Sequence, residues 1–274
     1  MLHRLSVLTL LVLAVAGLAR GQSGGAGELG TAKGEPVRIG IAGDSTARDY
    51  TNMSDSYREL RGWGQYLGES VPGVRAQVLN HGKGGCSSKS FINEGRWEKL
   101  LADGPDVVLI QFGHNDVPNK GPERETLADE MPETLPEDGL GSDEMDWFRH
   151  NMRTYIRTAR EAGVVPIVVT PMERRSFTSN GKNVREKNKP WADAAIAVAR
   201  ELDAAVIDMN AYSIEMMNEK GLEGTLYMHP TREGELDNTH YNEAGARVYA
   251  EFIGKKLAEL LPQVLPRPQR EPAA

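Results

Sequence analysis

Five short apolar runs, Val37–Ala42, Ala76–Asn80, Asp106–Phe112, Val164–Thr170 and Ala205–Asp208, recur along this chain with helical patterns between them. Short, mostly continuous runs rich in Val, Ile and Leu suit strands covered on both faces, because a strand with one wet face would alternate. Helical patterns fall at Trp63–Ser70, Glu94–Ala102, Met145–Ala162 and Pro190–Leu202. Pro190 sits where a first helical turn tolerates the missing N–H. A last helix is expected from an N-cap at Asn242 to Leu261, with Val248, Phe252, Ile253, Leu257 and Leu260 as its apolar stripe. Strand–helix alternation of this kind predicts an α/β fold with a parallel sheet and right-handed crossovers. All strands then point their carboxyl ends the same way, and open sheets of this type place their chemistry at that edge.

The 274 residues suit one such domain with a sizeable core. A net charge of −7 argues against a nucleic-acid partner. At the N-terminus, His3 and Arg4 precede the apolar stretch Leu5–Ala19, and small residues follow at Ala19 and Gly21. That layout reads as a secretory signal peptide over residues 1–21. The stretch is shorter than the roughly 20 residues that span a bilayer, so no stable membrane insertion is expected after its removal. Cys86 is the single cysteine, so an exported chain would hold its fold by core packing, without an internal disulfide. Residues 22–35, rich in Gly and Ala, read as a flexible linker, 36–262 as the folded domain, and 263–274 as a disordered tail. Asn119–Asp143, acidic and broken by Pro122, Pro132 and Pro136, reads as an insertion over the sheet's carboxyl edge, either a wall of the substrate site or a solvated excursion.

Four polar blocks carry the chemistry. Gly43-Asp44-Ser45-Thr46 leaves the first strand, where Ser45 could be a nucleophile or a turn and cap residue. Asn80–Ser88 follows the second strand with glycines at 82, 84 and 85, which let backbone N–H groups approach a bound atom. Gly113-His114-Asn115-Asp116 follows the third strand, and an amide there can donate to a developing oxyanion. Asp237-Asn238-Thr239-His240 precedes the last helix, and its carboxylate can orient the imidazole toward a hydroxyl. Trp63, Phe91, Arg96, Trp97, Trp191 and Tyr241 lie near these blocks as a sugar-stacking floor or as packing.

With these blocks in this order the chain resembles the SGNH (GDSL-type) hydrolase superfamily, and within it the rhamnogalacturonan acetylesterases. The likeness spans about Val37 to Phe252 and includes Asn80 with Gly85, Gly62-Trp63-Gly64, Ser90-Phe91, Glu94-Gly95-Arg96-Trp97 and Gln111-Phe112. It implies a flavodoxin-like three-layer α/β/α sandwich with a central five-stranded parallel sheet. It also implies Ser45 as nucleophile, His240 as general base and Asp237 as its orienter. The oxyanion donors would be the Ser45 and Gly85 N–H groups and the Asn115 side chain, and Asp44, Trp97 and Asp116 become candidate substrate contacts. The implied activity is removal of acetyl groups from pectic polysaccharide, with an acetylated polysaccharide or oligosaccharide as partner, no cofactor or metal, and a monomeric chain. Cys86 departs from the basic or small residue expected after the donor glycine. A lipase or lysophospholipase stays open, although a polar chain with 6% aromatic residues suits a short acyl group better than a long one. From other classes, a metal-dependent phosphoesterase using the strand-end Asp, Asn and His residues and a non-catalytic carbohydrate-binding protein stay open too.

Overall fold

The computed structural model describes residues 35–54, 57–117 and 144–265. The expected signal segment, nearly all of the linker, the acidic insertion and the end of the tail lie outside the described residues. Five strands form one parallel sheet: β1 (Val37–Gly43), β2 (Ala76–Asn80), β3 (Val107–Gln111), β4 (Val165–Val169) and β5 (Ala205–Ile207). They match the five apolar runs to within two residues at either end. Their order is β2-β1-β3-β4-β5. The chain therefore starts in the interior at β1, steps to the edge at β2, and returns past β1 to β3. Where the direction of winding reverses, the connections leave β1 and β3 on opposite faces and a crevice opens between the two carboxyl ends.

Alternate residues of each strand feed two separate cores. Val37, Ile39, Ile41, Val107, Leu109, Ile167 and Val169 face α1 (Leu67–Ser70), α6 (Met209–Gly224) and α7 (Glu243–Val264). Ala42, Val108, Ile110 and Val168 face α2 (Ser88–Asn93), α3 (Arg96–Ala102), α4 (Glu144–Glu161) and α5 (Lys189–Glu201). The result is the expected three-layer sandwich. Burial on both faces explains why β1, β3 and β4 read as nearly unbroken apolar runs.

Three helical expectations change. First, α6 gave no sequence signal, because its buried side includes Asn210 and Ser213 beside Met209, Met216 and Met217, and Gly221 breaks it at φ 68°. Asp208 nonetheless caps it, its carboxylate accepting from Ala211 N at 3.0 Å. Second, the buried face of α7 is Ala246, Tyr249, Ala250, Ile253, Leu257 and Leu261, with Val248, Phe252 and Leu260 only flanking it. Small residues set that face: a Cβ on Gly254 would lie 1.9 Å from Ser70 O, so α7 rests against the end of α1 backbone to backbone. Third, α7 is capped by Asn242 as expected but continues through Pro262 to Val264, past the expected end at Leu261. A short hairpin of β6 (Thr231–Arg232) and β7 (Glu235–Leu236) leads into the last block.

Candidate active site

The Ser45 turn is shaped by the residues on either side of it. The Asp44 carboxylate accepts from Thr46 N at 2.8 Å and from Thr46 Oγ1 at 2.7 Å, closing a tight turn directly on β1. Its other oxygen accepts from His114 Nδ1 at 3.0 Å. Burial pushes the Asp44 carboxyl up, but the charge and hydrogen bond of His114 and the two Thr46 bonds outweigh it and leave the group below its ordinary value. Tyr50 Oη donates to Ser45 O at 2.8 Å and pins the turn from outside. Ser45 thus caps no helix, and its hydroxyl is left for another partner.

That partner is His240, 195 residues away along the chain, whose Nε2 lies 2.9 Å from Ser45 Oγ. His240 Nδ1 lies 2.8 Å from Asp237 Oδ2. An ionised carboxylate only accepts, so the ring proton sits on Nδ1 and Nε2 is free to accept from the serine hydroxyl. Asp237 Oδ1 also accepts from Thr239 N and His240 N, both at 2.9 Å, and Arg232 Nη1 approaches Oδ2 at 3.3 Å. Burial pushes the Asp237 carboxyl up, yet these bonds, led by the one from His240, hold it well below the usual range. The carboxylate stays charged beside the imidazole. The arrangement can move a proton from Ser45 to His240 and stabilise the imidazolium that results.

The two remaining blocks meet the serine from the β2 and β3 sides. His81 N and Lys83 N donate to Ile41 O and Gly43 O, so the glycine loop runs on alongside β1 past the end of β2. Asn80 fastens it, accepting from Gly82 N at 2.9 Å and donating to Ala47 O at 2.8 Å. Gly85 takes φ 79°, a conformation costly for residues with a Cβ. Among the described residues the Ser45 and Gly85 N–H groups have no hydrogen-bond acceptor. Asn115 Nδ2 donates one hydrogen to Cys86 O at 2.9 Å and keeps the second. Asn115 is thereby tied to the glycine loop, whose Gly84 approaches Ser45 closely enough that a Cβ built there would lie 3.9 Å from Ser45 Cβ.

Asp44, Trp97 and Asp116, expected as substrate contacts, are all buried and hydrogen-bonded inside the protein. Asp44 is consumed by Thr46 and His114 as described. Trp97 Nε1 donates to Thr158 Oγ1 at 2.8 Å and its ring packs edge-on against Tyr155. Asp116 accepts from Ser88 N, Ser88 Oγ and Gly113 N at 2.9, 2.6 and 2.8 Å, tying the start of α2 to the turn that carries Asn115. Burial, opposed by those three bonds and reinforced by the Asp44 charge, pushes its carboxyl up to about 7. Trp63, Phe91, Trp191 and Tyr241 are likewise core residues, and Arg96 pairs with Glu94.

Supporting residues emerge that the motif blocks did not contain. His229, almost fully buried, directs Nδ1 at His240 O (2.8 Å) and Asp237 O (3.0 Å), so one N–H holds both carbonyls. Burial pushes its pKa down to about 4, and the ring is neutral. Beyond β4, Arg174 bridges His114 O and Thr239 Oγ1, while Arg175 N and Nη1 hold Asn238 O and Oδ1, each at 2.9 Å. Every residue of the Asp237–His240 block is thereby fixed. The available signal was position: Arg174 and Arg175 follow a strand end. Cys86 is buried with its thiol pushed up by burial, which suits packing better than nucleophilic work. Among the described residues no three His, Cys, Asp or Glu side chains form a group that could hold a metal ion.

Comparisons with known proteins identify the family. The family model of GDSL-like lipases and acylhydrolases matches residues 41–248. The rhamnogalacturonan acetylesterase RhgT of Bacillus subtilis is 33% identical over 239 residues, covering 82% of this chain and 91% of that one. The crystal structure of YxiM from Bacillus subtilis superposes with a TM-score of 0.62 at 27% identity, covering 84% of this chain and 58% of that one. Axe2, an acetylxylan esterase from Geobacillus stearothermophilus, shares the fold with a TM-score of 0.53 at 19% identity, over 79% of this chain and 91% of that one. With the family model spanning most of the sheet and the four strand-end blocks, the chain belongs to the GDSL-like lipase/acylhydrolase family and is a carboxylic ester hydrolase.

Proposed function

We propose that the protein is an exported serine esterase that removes acetyl groups from carbohydrate, with acetylated rhamnogalacturonan as its substrate. The observation that carries the mechanism is the 2.9 Å approach of His240 Nε2 to Ser45 Oγ across two distant parts of the chain. Ser45 Oγ attacks the ester carbonyl as His240 Nε2 takes its proton, and Asp237 holds the imidazolium. The tetrahedral oxyanion is met by Ser45 N–H, Gly85 N–H and the remaining Asn115 amide hydrogen. Collapse expels the sugar oxygen, which takes the proton back from His240 and leaves an acetyl-enzyme. Water, deprotonated by the same imidazole, then attacks the acetyl carbon; the bond to Ser45 Oγ breaks, the serine oxygen takes that proton back from His240, and acetate is released.

The substrate reading leans on the acetylesterase relatives and on the polar character of the chain, whose mean hydropathy is −0.46. Export leans on the charged, then apolar, layout of residues 1–21. No helix among the described residues is long and apolar enough to cross a membrane. One comparison tests the reading: acetate release from acetylated rhamnogalacturonan, acetylated xylan and p-nitrophenyl acetate, measured side by side. The pectic polymer should be the preferred polymeric substrate. Preference for xylan would move the assignment to another polysaccharide, and hydrolysis of the small ester alone would remove carbohydrate from it.

A further inference from the structure

We infer that Arg48 is a specificity residue that reads a sugar carboxylate beside the ester being cleaved, so that the site selects uronate-containing substrates. This rests on the pectic reading above, since rhamnogalacturonan carries galacturonate.

Placement comes first. Arg48 follows Ser45 by three residues on the same turn. A Cβ built on Gly84 would lie 3.2 Å from Arg48 Nη1 and 3.9 Å from Ser45 Cβ, so the guanidinium lies within about 7 Å of the Ser45 side chain. Gly84 leaves that approach open, directly beside the donor loop. The distance is about that across one sugar ring, the separation at which a uronate carboxylate and an ester on the same or an adjoining sugar can be held together.

Charge comes second. Arg48 is half-buried, and its contacts are Met53 Sδ at 3.0 Å and the Tyr50 ring at 5.5 Å, neither of which neutralises a cation. Among the described residues it has no carboxylate partner. Its neighbours do: Lys83 and Arg96 both pair with Glu94, and Arg232 reaches Asp237. A guanidinium partly removed from water without a counter-charge costs free energy, and a bound carboxylate would offset that cost. Its planar fork matches a carboxylate with two parallel hydrogen bonds, which a lysine cannot reproduce. The protein as a whole carries −7 and repels a polyanion at long range, so recognition of one must come from a local cation.

The test uses wild type, Arg48→Gln and Arg48→Lys. Two quantities are read: the ratio of kcat/KM on acetylated rhamnogalacturonan to that on acetylated xylan, and inhibition of p-nitrophenyl acetate hydrolysis by unacetylated oligogalacturonate. Hydrogen bonds to charged groups contribute enough that Arg48→Gln should lower the ratio by about 10-fold or more, mainly through KM. It should raise the inhibition constant by a similar factor, and Arg48→Lys should fall between the two. Added salt should weaken oligogalacturonate inhibition of wild type more than of Arg48→Gln. An unchanged ratio and inhibition constant would overturn the inference. So would equal losses on every substrate, which would make Arg48 a strut for Tyr50 and Met53. Wild type that releases no acetate from rhamnogalacturonan would instead defeat the substrate reading, whereas Arg48-dependent oligogalacturonate inhibition would still establish the carboxylate site.

Discussion

Replacing His229 tests how the turn carrying the acid–base pair is held. Its buried ring donates from Nδ1 to the carbonyls of both Asp237 and His240, and packs at a tilt against Tyr241 with ring centroids 5.1 Å apart. Asparagine can place an amide N–H near the Nδ1 position, alanine removes the donor, and neither takes up a proton. Burial moves the His229 pKa from its ordinary 6.5 to about 4. Between those values the unfolded chain binds a proton that the folded chain refuses, so this residue's contribution falls as pH falls. The full change is about 3 kcal/mol. Asp116 works with the opposite sign: its folded value of about 7 lies above the ordinary 3.8, so it adds stability as pH drops through the same window. The His229 effect must therefore be read as the difference between variant and wild type in urea unfolding across pH. At pH 7.5 His229→Asn should lose about 1–2 kcal/mol through poorer hydrogen bonding, and that deficit should shrink or reverse by about 3 kcal/mol at pH 4. His229→Ala frees both carbonyls and should lower kcat on p-nitrophenyl acetate by roughly 10–100-fold, because small misplacements of a reacting group cost that much. His229→Asn should recover most of this loss. A deficit constant across pH would refute the buried, neutral imidazole, and wild-type kcat in His229→Ala would refute its positioning role.

Ser45→Ala should lower kcat by at least about 10⁴-fold while leaving the urea midpoint nearly unmoved, because among the described residues the hydroxyl bonds His240 alone; measurable turnover close to wild type would dismiss the nucleophile. Asn115→Ala should reduce kcat by about 10²–10³ with little change in KM, read from steady-state kinetics on the acetylated substrate. Asp237→Asn should cost about 10⁴ in kcat, because an amide facing Nδ1 favours the wrong tautomer. A much smaller loss would place the orienting role elsewhere.

The fold was legible wherever packing imposes a pattern. Strands β1, β3 and β4 are buried on both faces, so their sequences could carry almost nothing but apolar residues. The edge strand β2 could still be placed, because Asn80 and the glycines mark its end. Helix α6 escaped because it meets the core through methionines together with Asn210, Ser213 and Thr225, which hydrogen-bond within the protein. A polar residue that is buried and satisfied looks the same in sequence as one facing water. On α7 the hydropathic stripe misled for a related reason: the closest approaches are at Gly245, against Met228 O, and Gly254, against Ser70 O, where the lack of a side chain, not hydrophobicity, draws the helix in.

The same distinction separates what could be read of the site from what could not. Ser45, Asp237, His240, Gly85 and Asn115 lie in short polar blocks at strand ends or before a helix, and topology alone brings such positions to one edge. Asp44, Trp97 and Asp116 share those neighbourhoods, yet they hold the edge together from below: Asp44 with His114, Trp97 with Thr158, Asp116 with Ser88 and Gly113. Proximity in sequence to a reacting residue cannot tell a group that meets substrate from one that braces it. His229 makes the point from the other direction. It lies eleven residues from His240 in a stretch with no motif, and its one donor spans two carbonyls only because β6 and β7 fold that stretch back on itself. Its role is a property of the hairpin, and a hairpin of two-residue strands leaves too short a periodicity to be seen before the fold is known.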